Sequence, residues 1–167
     1  MTYTMLRKER EMSEEDIKQF LLEEKIGRLG MSQDGEPYVI PIGYIYDPET
    51  DEIWLHCAKK GRKVDAIKSN PRVCFEIDAM TRLVVADVPC EYDVVYRSVV
   101  VFGTAFLEED PSQKAETLNR IFEKYTGEAP KVPLKEEAAK GTQVIGIRIE
   151  SKTGKENKGG VVPYPQP

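Results

Sequence analysis

The sequence predicts a mainly β domain: six or seven antiparallel strands closed, or partly closed, into a barrel, with helices at the edges and one crossing in the middle. Three observations carry this. Apolar, β-branched and aromatic residues recur in short strand-like runs along most of the chain. Tight-turn signals join the first three runs, which requires antiparallel pairing. Strand-like runs follow one another without regularly alternating helices, which excludes a doubly wound nucleotide fold. Closure then protects the many strand edges.

The elements follow in order. Ser13 before Glu14, Glu15 and Asp16 marks a helix start, because its hydroxyl caps free amides and the acids suit the positive helix end. Ile17, Phe20 and Leu21 form one apolar face, and Gly27 is the expected stop. Arg28 to Gln33 is a short strand, and Asp34-Gly35 a type I′ hairpin turn. Pro37 to Asp47 and Glu52 to Ala58 are the next strands, with a turn at Pro48 to Asp51. Gly61 opens a short helix with Val64 and Ile67 on its apolar side, and Asn70-Pro71 closes it. Arg72 to Asp78, Arg82 to Asp87 and Tyr92 to Glu108 read as strands, Gly103 marking a bulge or close backbone approach. Asp110-Pro111 begins a helix, with Gln113 completing a capping box. Ala115, Leu118, Phe122 and Tyr125 line its apolar face, and Gly127 ends it. A short helix over Leu134 to Lys140 and a final strand over Thr142 to Glu150 complete the domain. The domain is thus expected over residues 1–150, followed by a loop-like tail over 151–167.

The bulk properties narrow the function. A chain of 167 residues holds one domain with a real core. No apolar run approaches the ~18–20 residues of a membrane helix, and Met1 to Arg10 does not resemble a signal peptide, so a cytoplasmic protein without membrane contact is expected. Cys57, Cys74 and Cys90 form no CxxC pair and read as structural thiols, with a redox role open for Cys90 at its turn. A net charge of −5 argues against nucleic-acid partners.

Against that acidic background, His56 to Arg72 (HCAKKGRKVDAIKSNPR) carries six basic residues and one acid. The cluster falls where a strand ends, a glycine turns the chain and a helix begins. Helix-start amides attract anions, and Arg and Lys add charge-assisted bonds, so a phosphate is the expected guest. The apolar strand end just before it (Trp54 to Ala58) suits a planar phosphate ester. Trp54 and Phe102 read as core.

The segments RKEREMSEEDIKQFLLEEKIGRLGM, PYVIPIGY, IWLHCAKKGRKVDAIKSNPRVCFEID and YRSVVVFGTA, in this order from Arg7 to Ala105, resemble the FMN-binding split β-barrels of the pyridoxamine phosphate oxidase superfamily. Within it they are most similar to the flavin-nucleotide-binding group that includes nitroimidazole-resistance proteins. The resemblance implies a homodimer with two FMN sites at the subunit interface. It places Val39, Ile40, Pro41 and Ile42 on one strand flanking the flavin, and His56, Cys57 and Ala58 on another. Lys60, Gly61, Arg62 and Lys63 then lie near the phosphate, and Arg97, Ser98 and Val99 contribute from the same or the other subunit. His56, the sole histidine, becomes the catalytic candidate, as donor of a hydrogen bond or proton. Strand alternation sends His56 and Cys57 to opposite sides, so they would not ligate one metal.

The expected activity is FMN-dependent reduction of a small acceptor, a nitroaromatic or quinone, by a reduced nicotinamide. Pyridoxamine phosphate oxidation fits less well, since its substrate-phosphate residues are not evident in the C-terminal part. The alternatives are a binding protein for flavin, or for haem with His56 as axial ligand, and a scaffold whose pocket has degenerated.

Overall fold

Ser13 caps the first helix as expected. Its hydroxyl accepts from the Asp16 amide at 3.1 Å and starts α1 (Glu14–Glu23). The computed structural model describes residues 5–88 and 92–159. Cys90 therefore lies outside the described residues. Asp34 and Gly35 take positive φ values of 53° and 85°, the backbone of a type I′ turn. They join β1 (Ile26–Gln33) to β2 (Glu36–Asp47). The Asp47 carboxylate accepts from the Glu49 amide at 3.0 Å and organises the turn into β3 (Glu52–Cys57). The chain then crosses through α2 (Arg62–Ser69) to the long hairpin of β4 (Arg72–Val84) and β5 (Asp93–Glu108). Helix α3 (Pro111–Thr126) and the single turn α4 (Glu136–Ala139) lead to β6 (Gln143–Asn157).

The six strands form a closed antiparallel barrel in the order β1-β2-β3-β6-β5-β4. Leu29, Tyr44, Ile53, Leu55, Phe75, Val101 and Ile145 fill its interior, and Phe20 and Leu21 of α1 join the same core. A smaller cluster of Ile45, Trp54, Ile121 and Val144 lies outside the barrel wall beneath α3. Trp54 meets Phe106 edge-on there, with ring centroids 5.5 Å apart. No helix among the described residues is long and apolar enough to cross a membrane.

Six features depart from the sequence expectation. Gly27 does not end α1. It lies inside β1, where a Cβ would overlap the Phe75 ring, and α1 ends at Glu23. Arg72–Asp78 and Arg82–Asp87 are not separate strands. β4 runs through both as far as Val84, with a register shift between Met80 and Arg82. The final strand continues past Glu150 to Asn157. Its apolar alternation fades because α1 covers it, Gly154 standing against Ile17 and Met12. On α3 the buried face is Lys114, Ala115, Thr117 and Ile121, while Phe122 and Tyr125 stay at the exposed rim. Its capping box does not form: Asp110 accepts from Ser112, and Gln113 bonds Thr117. Phe102 is on the outer face, because its neighbour Val101 takes the inward position.

Gly103 is as expected. The β5–β6 register shifts beside it, and a Cβ there would collide with the Arg148 carbonyl. Backbone cannot yield as a flexible side chain can. Gly103→Ala is expected to cost about 2 kcal/mol, read as a lower urea midpoint. An unchanged midpoint would show that the bulge has slack.

Candidate functional site

β3 ends beside β6, whereas β4 pairs with β1 and β5. The chain between β3 and β4 must therefore cross the barrel, and it does so through Ala58–Gly61 and α2. Gly61 makes the corner with φ 135° and ψ 167°. Nothing lies within 4 Å of where its Cβ would stand, so conformation and not space demands glycine. No side chain caps α2, which leaves its first-turn amides free for an anion.

A cleft of about 210 Å³ opens at this corner. Its walls are Tyr38 from β2, Cys57 and Ala58 from the end of β3, and the turn residues Lys60, Gly61, Arg62 and Lys63, with Val64 behind them. The Arg62 guanidinium carbon stands 4.3 Å from the centre of the Tyr38 ring. Arg62, Lys60 and Lys63 make no ion pair among the described residues, whereas Arg72 at the far end of the basic segment is neutralised by Glu150. The cleft is thus a concentrated positive field at a helix start, suited to a phosphate.

The remaining candidates are distributed as follows. Ile40 and Ile42 are half-buried and pack on the barrel core, while Val39 and Pro41 project outward and are exposed. His56 and Cys57 point to opposite sides of β3: Cys57 lines the cleft, and His56 is exposed on the outer face and does not line it. Arg97, Ser98 and Val99 are not among the cleft walls. Arg97 bonds Glu23 at 3.0 Å and lies over the Phe20 ring, Ser98 bonds the Lys155 carbonyl, and Val99 is fully buried. The sequence reading missed Tyr38. The available signal was period two: Tyr38 shares the inward side of β2 with Ile40 and Ile42.

Burial raises the Cys57 thiol above its ordinary value, opposed by the charge of Lys63. For His56, the partial desolvation of its ring and then Lys63 both act against the imidazolium, so its pKa falls below 6.5. With the folded value below the unfolded one, the unfolded chain binds the proton first. Stability is therefore lost as pH falls below about 6.5 toward the folded value. The sole histidine gives one imidazole resonance, which is expected to titrate below 6.5 and to move upward in Lys63→Gln. A normal midpoint in the native protein would contradict this electrostatic account.

Comparison with known proteins bears on the fold and the family. The 5a,11a-dehydrotetracycline/5a,11a-dehydrooxytetracycline reductase of Streptomyces rimosus is 35% identical over 89 residues, which span 52% of this chain and 57% of that protein. The chain thus covers little more than half of this relative. The crystal structure of a putative 5-nitroimidazole antibiotic resistance protein from Bacteroides thetaiotaomicron superposes with a TM-score of 0.75 at 23% identity, over 87% of this chain and 85% of that one. An FAD and haem binding protein from Mycobacterium smegmatis gives 0.78 at 20% identity, over 90% and 74%. These two likenesses establish the shared fold. The profile of the pyridoxamine 5'-phosphate oxidase family matches residues 13–156, nearly the whole barrel, and the chain belongs to that family.

Proposed function

We propose that this protein is an FMN-binding oxidoreductase acting as a homodimer, which passes electrons from a reduced nicotinamide to a small acceptor such as a nitroaromatic or quinone. The observation that carries the reading is the convergence of Lys60, Arg62 and Lys63, none of them ion-paired among the described residues, on one cleft at the start of α2. The reductase activity named for the Streptomyces rimosus relative supports the reaction class.

The residues present fit the phosphate end of FMN. Lys60, Arg62, Lys63 and the free α2 amides would hold the phosphate, with Cys57 and Ala58 beside it. A cleft of about 210 Å³ is below the usual size of a site enclosing a drug-sized ligand. The flavin ring would therefore extend out of the cleft, where a second copy of the chain would cover it. Bound flavin supplies the hydride-accepting redox centre, and the protein supplies orientation and electrostatics. His56, kept neutral at pH 7, would offer a single hydrogen bond rather than a fixed charge. Arg97, Ser98 and Val99 serve the barrel frame in this reading.

The outer sheet surface supports the dimer. Ile26, Val39, Met80 and Phe102 are exposed on β1, β2, β4 and β5. Arg28 on the same strands pairs with Glu76 at 2.8 Å and also with Asp78. Exposed apolar groups with an arginine among them are typical of an interface.

The test is FMN uptake by the purified protein, followed by anaerobic reduction with NADH or NADPH. About one FMN per chain is expected, on a particle of twice the chain mass. The double variant Arg62→Glu, Lys63→Glu should unfold at the same urea concentration yet retain no flavin. Native FMN affinity in that variant would remove the cleft from the flavin site, and absence of uptake by the native protein would defeat the oxidoreductase reading.

A further inference from the structure

We infer that Tyr38 is a positioning residue: its ring holds the Arg62 guanidinium by the face and leaves the in-plane N–H donors free for the anion. The inference rests on the reading of the cleft as an anion site. It assigns a role to a residue on the opposite side of the cleft from the basic turn.

Tyr38 is well placed to act as a fixed wall. It pairs with Met31 across the β1–β2 hairpin, and with Ile40 and Ile42 it packs against the barrel core. Its ring is therefore anchored to the sheet, while Arg62 is the first residue of α2, within the chain crossing. The two meet at 4.3 Å, and both line the cleft.

The other arginine–ring contacts show what sets this one apart. Arg97 over Phe20 also bonds Glu23, and Arg148 over Phe106 also pairs with Glu52 at 3.6 Å. The lysines do likewise: Lys124 over Tyr44 donates to the Leu21 carbonyl, and Lys25 near Tyr125 donates to the Tyr125 carbonyl. Arg62 lies over the Tyr38 ring, yet its N–H donors have no protein acceptor among the described residues.

The distinction matters chemically. A carboxylate would also fix Arg62, but it would occupy the same N–H edge that grips a phosphate and cancel the charge. An aromatic face holds the cation from above and takes none of its five donors. A long side chain loses rotamer freedom when it grips a ligand, and a guanidinium already held in place loses less. Lysine would not substitute, because an ammonium has neither a flat face nor a two-pronged edge.

The experiment combines ligand affinity with a readout on the ligand-free protein. FMN affinity would be measured by flavin fluorescence in Tyr38→Phe, Tyr38→Leu, Arg62→Gln and the double variant Tyr38→Leu, Arg62→Gln. The phenylalanine variant keeps the face and is expected within about twofold of the native protein. The leucine variant is expected to weaken binding about tenfold, within the range of a cation on an aromatic face. In the Arg62→Gln background the leucine change should add nothing. A phenylalanine variant as weak as the leucine one, or losses that multiply in the double variant, would overturn the inference. In the ligand-free protein, the Arg62 Nε–H proton should be shifted upfield in the native and phenylalanine forms and return to its ordinary position in the leucine form. An unshifted native resonance also overturns it. If the native protein takes up no FMN, the oxidoreductase reading falls alone. Inorganic pyrophosphate then becomes the titrant, and an Arg62 resonance that ignores it rules out the anion role of the stack.

Discussion

The barrel closes between β1 and β4 through three residue pairs, Arg28–Glu76, Leu29–Phe75 and Gly30–Cys74. That seam separates β3 from β4, because β4 is taken up by β1 on one side and β5 on the other. The chain leaving β3 has nowhere to pair and must cross to the opposite wall. The crossing needs a corner, a helix and a return, and Gly61, α2 and Pro71 supply them. The cleft is a consequence of this topology. It lies at the corner, where the backbone leaves the sheet and exposes amides that no side chain caps at the start of α2. Gly27 belongs to the same constraint. The seam requires Phe75 to approach β1 so closely that a side chain at position 27 has no room.

β3 gives this corner a rigid origin. Ile53 and Leu55 are buried in the barrel, and Trp54 between them is buried under α3, so the strand is held on both faces. Tyr44 ties the covering helices to the same wall. Its hydroxyl donates to the Leu21 carbonyl at 2.8 Å, its ring meets Phe75 edge-on, and the Lys124 ammonium lies 4.0 Å above it. Burial pulls the Lys124 pKa down to about 8, so at neutral pH this cation stays charged at some cost. The stem and the ring face compensate in part, which keeps α3 seated on the barrel while α1 is held from the other side.

Much of the fold was legible because its signals are local. Ser13 and Asp110 as caps, Asp34-Gly35 as a turn, Gly61 as a helix opening and Gly103 as a close approach each follow from the chemistry of one or two residues. The failures lie where a distant element decides. Ser151–Asn157 reads as polar tail because the apolar partner of Gly154 is Ile17, far away in sequence. The phase of α3 is set by the outer cluster around Trp54, and its own apolar spacing was off by about one residue. At the cleft, the basic turn was legible because charge is a property of a segment. Tyr38 was not, because its meaning comes from its contact with Arg62, which is distant in the sequence. Arg97 and Val99 show the converse: a strand can match a family pattern while its side chains serve α1 and the core.

The charge pattern unites these points. The chain carries a net charge of −5, so a basic patch would ordinarily attract its own acids and disappear into surface ion pairs. Many of the acids are instead paired with cations elsewhere in the fold. Glu76 and Asp78 are tied to Arg28, Asp47 to Arg120, Asp51 to Lys152, Glu23 to Arg97 and Glu150 to Arg72. Each pair joins separate elements of the fold, and in each the carboxylate already has a cation of its own. What is left at the corner is Lys60, Arg62 and Lys63 without an ion pair among the described residues, against one acid, Asp65, in the first turn of α2. Surface pairs add little stability one by one. In the proposed reading, the basic corner stands apart from these pairs and keeps its charge for an anion.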